Sequence, residues 1–170
     1  LTVRNATETT VTESATLTAD ALAAGDGGTV IAWADGETTF AGRISATGGA
    51  LGGEGGFAEV SGLAKLDYTG VADLTAAAGR TGTLLLDPNN VEINTVSTIA
   101  TASLITPAAI TTNLNTSAVV VQTGGSPTGV LIRDDGEPGD VFVKAAVTYT
   151  SANDFAILAH RHVDFDASVQ

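Results

Sequence analysis

The residues best suited to chemistry in this chain are its two histidines. His160 and His162 flank Arg161, in a run that continues through Asp164 and Asp166. Residues two apart on an extended strand share one face, so these four side chains would line one side. Imidazole and carboxylate together form a donor set for a divalent metal. A flat ladder, however, does not easily converge four ligands on one point, and a solvated polar face is the better reading. His160, His162 and Asp164 stand as the metal candidates, and no cofactor is expected.

A second oxygen-rich run comprises Asp134, Asp135, Gly136, Glu137, Pro138, Gly139 and Asp140. Calcium favours such oxygen density, but the run has neither the EF-hand spacing nor the glycine-rich nonapeptide of calcium-binding β-rolls. Gly and Pro alone explain it as an acidic surface turn. The glycine clusters at 25–28 and 53–56 are not phosphate loops. No Lys-Ser or Lys-Thr follows them, and no helix offers its N-terminus. Trp33, the only tryptophan, sits beside Asp35 and Gly36. Its ring could stack on a sugar, although packing is the usual role. Lys and Arg are scattered singly through the chain, and neither His lies in a nucleophile motif. A non-enzyme is expected.

Composition narrows the partners. The 170 residues carry 19 acidic against 7 basic side chains, a net charge of −12 that repels phosphate backbones and anionic lipid. Nucleic acid is therefore not an expected partner. The uncharged stretch from 93 to 132 is broken by Thr, Ser, Asn, Pro and Gly, and lacks the about 20 mostly apolar residues of a membrane helix. No membrane insertion of this segment is expected. Cys and Met are absent, which removes disulfides and thiolate sites. Because the chain starts at Leu1, it is expected to be an internal piece of a longer one.

The elements that must position these residues are mostly strands. Residues 29–34, 57–60, 63–68 and 141–145 alternate with period two between Gly, Asp and Asn breaks. One helix is expected over 107–114, with Thr106 as cap, Pro107 in the first turn, and Ile110 and Leu114 on one face. Gly25-Asp26-Gly27-Gly28 recurs as Gly53-Glu54-Gly55-Gly56, and the match continues at the same spacing from Phe40 to Tyr68 and from Gly42 to Gly70. Two inserted residues then align Ser45-Ala46 with Thr75-Ala76, and a third echo starts at Gly82.

The repeat, at about 28 residues, suits one coil of a parallel β-helix with short strands better than a four-stranded propeller blade. Gly27, Gly28, Gly55 and Gly56 are expected at the corners, where glycine tolerates positive φ, and Asp87-Pro88 as a further turn. The fold class is all-β, one solenoid over 1–170 with units at 25–52, 53–81, 82–139 with an irregular insertion, and 140–170. Uncapped ends of such a stack expose pairing edges, so self-association is expected there.

Several runs carry a family resemblance. Gly27 to Gly36, Phe40 to Ala46, Gly55 to Gly62 and Gly82 to Pro88, with the segment from Gly139 to Ala167, resemble the filamentous-haemagglutinin-like large exoproteins. The resemblance covers nearly the whole chain. It implies a right-handed parallel β-helix in an adhesin of the two-partner secretion route, outside or on the outer surface of a Gram-negative bacterium. An outer-membrane secretion partner and ligands on host or neighbouring cells are implied in the same way. The expected function is a non-catalytic structural or adhesive segment. A carbohydrate-active β-helix enzyme and a partner-binding module of a larger surface complex are the alternatives.

Overall fold

The computed structural model describes residues 4–124 and 139–170. It begins with β1 (Glu8–Val11) and β2 (Thr16–Thr18). The next three strands are β3 (Thr29–Ala34), β4 (Glu37–Phe40) and β5 (Arg43–Ser45). The same three steps recur as β6 (Phe57–Gly62), β7 (Lys65–Tyr68) and β8 (Val71–Asp73). After them come β9 (Thr83–Leu86), β10 (Val91–Ile93), β11 (Ser103–Ile105) and the helix α1 (Pro107–Leu114). The described chain ends with β12 (Ala118–Gln122), β13 (Val141–Val143), β14 (Phe155–Leu158) and β15 (Val163–Phe165).

These strands form four sheets, ordered β1-β4-β7, β2-β5-β8, β14-β12-β9-β6-β3 and β11-β10-β13-β15. Every strand pairing in them is parallel. The links explain this. Successive strands such as β3, β4 and β5 enter different sheets, so each finds its partner only after the chain has passed through the others.

The repeat is the register. Thr29 faces Phe57, Glu37 faces Lys65 and Arg43 faces Val71, all at the separation of 28 that also divides Asp26 from its contact Glu54. Gly28 and Gly56 therefore hold equivalent places, and Gly28 O accepts from Phe57 N at 3.0 Å. The expected two-residue insertion is absent. Ser45 faces Asp73 and Gly48 bridges Ala76, with the offset unchanged.

Alternate residues point inward to a core of small aliphatics that includes Ala32, Ile44, Val60, Leu66, Ala72 and Leu84. Register also places Phe40 on Tyr68, whose rings stack with centroids 5.8 Å apart at 18°. Both rings are buried, and such a pair adds about 1 kcal/mol beyond its area.

The glycines need correction. Positive φ belongs to Gly25, Gly52 and Gly53, with Gly139 further on, and not to Gly27, Gly28, Gly55 or Gly56. Crowding is what demands glycine at those four positions. A Cβ on Gly55 would meet Leu74 O and Gly82 N, and one on Gly56 would meet Gly28 O. Adjacent passes of the chain approach there backbone to backbone, where any side chain has no room.

The helix forms where its signals lie. Thr106 Oγ1 accepts from Ala109 N at 3.1 Å, Pro107 starts the first turn, and Ile110 and Leu114 are buried. Its C-terminal end closes the edge of β8. Asn113 Oδ1 accepts from Ala72 N at 2.7 Å and from Tyr68 Oη at 3.3 Å, while Asn113 Nδ2 donates to Gly70 O at 3.2 Å. Thr116 adds its backbone O, which accepts from Leu74 N, and its Oγ1, which donates to Ala72 O. Helix and loop groups thus supply the partners that another strand would have given.

Candidate functional site

Three sheets present outer faces of different chemistry. On β1-β4-β7 the outward side chains are Glu8, Thr10, Glu37, Thr39, Lys65 and Asp67. On β2-β5-β8 they are Thr16, Thr18, Arg43, Ser45, Val71 and Asp73. Both faces are polar with charges of both signs, as a solvated surface should be. The five-stranded sheet is different.

Its register aligns Ile31, Glu59, Leu85, Val120 and Ala156 in one row across all five strands. Trp33 and Ser61 begin the next row, which ends in Gln122 and Leu158. Phe57 and Thr83 belong to the row that flanks the first on its other edge, on the same outer face. Ile31 is 59% exposed and Leu158 52%, so the rows meet solvent. Such an apolar stretch on an outer face is unusual for a surface that only faces water.

Two carboxylates interrupt it. Glu59 Oε1 accepts from Ser61 Oγ at 2.9 Å, and Asp87, just past the end of β9, accepts from Gln122 Nε2 at 3.2 Å. Burial pushes the Asp87 carboxyl above the usual range, and the charge of Glu59 raises it further, against hydrogen bonds from Gln122 and the Gly124 backbone. Neither Lys nor Arg occupies an outward strand position of this sheet among the described residues. The site therefore combines partly buried apolar side chains with two carboxylates, and the nearest cation among the groove's lining residues is Arg80.

A groove of about 470 Å³ runs beside the face, lined by Asp26, Thr29, Glu54, Phe57, Arg80 and Thr83 among others. Its carboxylates are occupied in tying successive repeats together. Asp26 Oδ1 accepts from Glu54 N and Glu54 Oε2 from Arg80 N, each at 2.8 Å.

The histidine run does not form one strand. β14 ends at Leu158 and β15 starts at Val163, with a bend at 160–161 between them, so the premise of four side chains on one ladder is overturned. Arg161 stands at that corner. His162 Nδ1 lies 3.0 Å from Asp140 Oδ1, and Arg161 Nε is 3.6 Å from the same oxygen. Asp140 is buried, and Asn90 Oδ1 holds the turn before it by accepting from Gly139 N and Asp140 N. His160 is exposed, and its backbone N donates to Thr123 Oγ1. Among the described residues no three of His, Asp and Glu gather as a metal-binding group. Of the acidic run, residues 134–138 lie outside the described residues.

Asp87 and Pro88 do leave a strand, at the passage from β9 to β10. The sequence marked Asp87 only as a turn, and nothing in it placed the side chain near Glu59. The third glycine echo, at Gly82, could have set β9 against β6 and revealed the pair. No helix of the described residues is long and apolar enough to cross a membrane. Compared with family models and with curated proteins, the chain matches none.

Proposed function

We propose that these strands wind as a single right-handed parallel β-helix, and that the chain is a non-catalytic structural or adhesive segment of a bacterial secreted or cell-surface exoprotein. The carrying observation is the constant register, in which three successive strands each stack on their counterparts one repeat later. Such stacking makes a stiff unit that holds flat faces toward a partner. Right-handedness follows from the strong preference of parallel crossover connections for that hand. The resemblance to filamentous-haemagglutinin-like exoproteins supplies the rest of the reading: export through an outer-membrane partner and ligands on host or neighbouring cells.

Adhesion is testable with the chain as it stands. Beads coated with folded protein should adhere to epithelial or bacterial cell layers above beads carrying the heat-unfolded chain. Equal adhesion by both would overturn the adhesive role. A carbohydrate-active enzyme is the second reading, favoured by Glu59 and Asp87 as a carboxylate pair on one outer face. New reducing or unsaturated ends released from a panel of neutral and acidic polysaccharides, and lost in Glu59→Gln and Asp87→Asn, would establish it instead.

A further inference from the structure

We infer that the outer face of the five-stranded sheet is a docking surface for a basic, apolar protein segment. This deepens the presentational reading above, and rests on it, by naming which wall meets a partner and what that partner's chemistry is.

The argument starts from the difference between walls. Glu37 lies across from Lys65, with 3.9 Å between carboxylate and ammonium, and Arg43 reaches Asp73 at 2.7 Å, so each polar wall carries a cation that pairs with one of its own carboxylates. Glu59 and Asp87 have no such counter-ion in an outward strand position of their sheet among the described residues. They stand instead among Ile31, Trp33, Leu85 and Val120. An anionic partner would add repulsion to a chain already at −12. A purely polar ligand would leave the exposed apolar rows uncovered. A segment with Lys or Arg between apolar side chains satisfies both conditions, since its aliphatic groups cover the rows and its cations reach the carboxylates.

Dimensions agree. Five strands at about 4.8 Å spacing span about 19 Å, the reach of roughly six extended residues. The register partners run across all five strands, so such a segment laid along a row crosses every one of them.

Trp33 is the only tryptophan and lies on this face, so its emission reports binding there. The probe is a synthetic capped peptide of alternating Lys and Leu. Its acidic counterpart of alternating Glu and Leu, and a neutral cello-oligosaccharide, serve as comparisons. Saturable change of Trp33 emission with the Lys/Leu peptide is expected, and flat responses to the other two. The double variant Glu59→Gln/Asp87→Asn should bind about tenfold more weakly. Ile31→Ser, at a solvent-exposed position, should weaken binding with the fold retained by circular dichroism. Glu37→Gln/Asp67→Asn removes the same charge from a different wall and should bind like the parent. No response to the Lys/Leu peptide, equal loss in the Glu37/Asp67 variant, or an equal response to the oligosaccharide would overturn the proposal. Bead adhesion that survives Glu59→Gln/Asp87→Asn would leave the adhesive reading standing while removing this face from it.

Discussion

The repeats from β3 to β8 and the region from β9 to β15 solve the same edge problem in different ways. In the earlier repeats, backbone meets backbone at a fixed offset, and the partner of each strand lies one constant repeat away. In the later region the offset changes from pair to pair: Thr83 faces Ala118, Val119 faces Phe155, and Val91 faces the more distant Val141. Buried polar side chains concentrate there, including Asn90, Glu92, Ser103, Asn113, Ser117 and Asp140. The difference teaches that a regular repeat satisfies its strand amides through register and leaves side chains such as Asp26 and Glu54 only the links to complete. Where insertions break register, individual side chains must complete the hydrogen bonding instead.

Glu92 shows the cost and the remedy. Its side chain sits between the inward Val91 and Ile93, on the outer side of β10, yet it is fully buried under the segment 94–102. Ile99, Ala102 and Phe142 form a small apolar cluster beside it. Its carboxylate accepts from Asn94 Nδ2 at 2.9 Å, Thr98 N at 2.7 Å and Ile99 N at 3.0 Å, and also from Thr98 Oγ1. Burial alone would raise its pKa, but these hydrogen bonds outweigh burial and hold the carboxyl below its ordinary value. Ser103 Oγ likewise accepts from Leu66 N at 2.8 Å, joining β11 to the edge of β7.

The largest test of the contrast lies in the regular repeats. Gly55→Ala should destabilise by about 3 kcal/mol or more, because the added Cβ meets backbone of two neighbouring passes of the chain that cannot move aside separately. Denaturant unfolding measures it. A loss below about 1 kcal/mol would show that the repeats pack loosely on one another, and would erase the distinction between backbone-limited and side-chain-limited regions.

Next in size is Asn113→Ala, which strips Ala72 N of its acceptor and Gly70 O of a donor in a buried place. A loss of about 2–3 kcal/mol is expected from those unsatisfied groups. Hydrogen exchange sharpens the comparison. Ala72 N should lose protection in the variant while Ile44, its register partner in β5, keeps its own. Equal loss at both positions would mean that β5 and β8 unfold as one unit.

Smallest is Glu92→Gln, at about 1–2 kcal/mol near neutral pH, from the weaker acceptor and the mismatched amide. Its pH dependence has a definite sign. The folded carboxyl has a lowered pKa, so its contribution is fully present above the ordinary value of 4.5 and is lost as pH falls through the lower folded value. Parent and variant should therefore converge in stability on acidification. Parallel curves across that range would contradict the role given to the charge.

Much of the regular part could be read from residues. The Gly-Asp-Gly-Gly and Gly-Glu-Gly-Gly pair set the repeat spacing, and Thr106-Pro107 with Ile110 and Leu114 marked the helix. β2, β5 and β8 escaped notice, since strands so short carry too little alternation to be seen without their partners. The role of the glycines was misread for a related reason. Positive φ is a local property, whereas the crowding at Gly55 comes from Leu74 and Gly82 on neighbouring passes of the chain.

The candidate face was half legible. Trp33 stood out by type, but Glu59 and Asp87 looked like one strand residue and one turn residue. Only the register between β6 and β9, which is shorter than that of the preceding coil, brings them to the same wall. The histidine run failed in the opposite direction. Alternation suggested one ladder, and the corner at Arg161 divided it.

What the sequence determined by itself was a chain of short strands with small inward side chains, a repeat length and one capped helix, because alternation, glycine spacing and capping act within a few residues or recur at a fixed distance. The tertiary structure decided which outer face is apolar, which carboxylates meet, and how Glu92 and Asn113 are satisfied. Those outcomes depend on register between distant strands, and a change of a residue or two in one link moves every side chain beyond it relative to its neighbours.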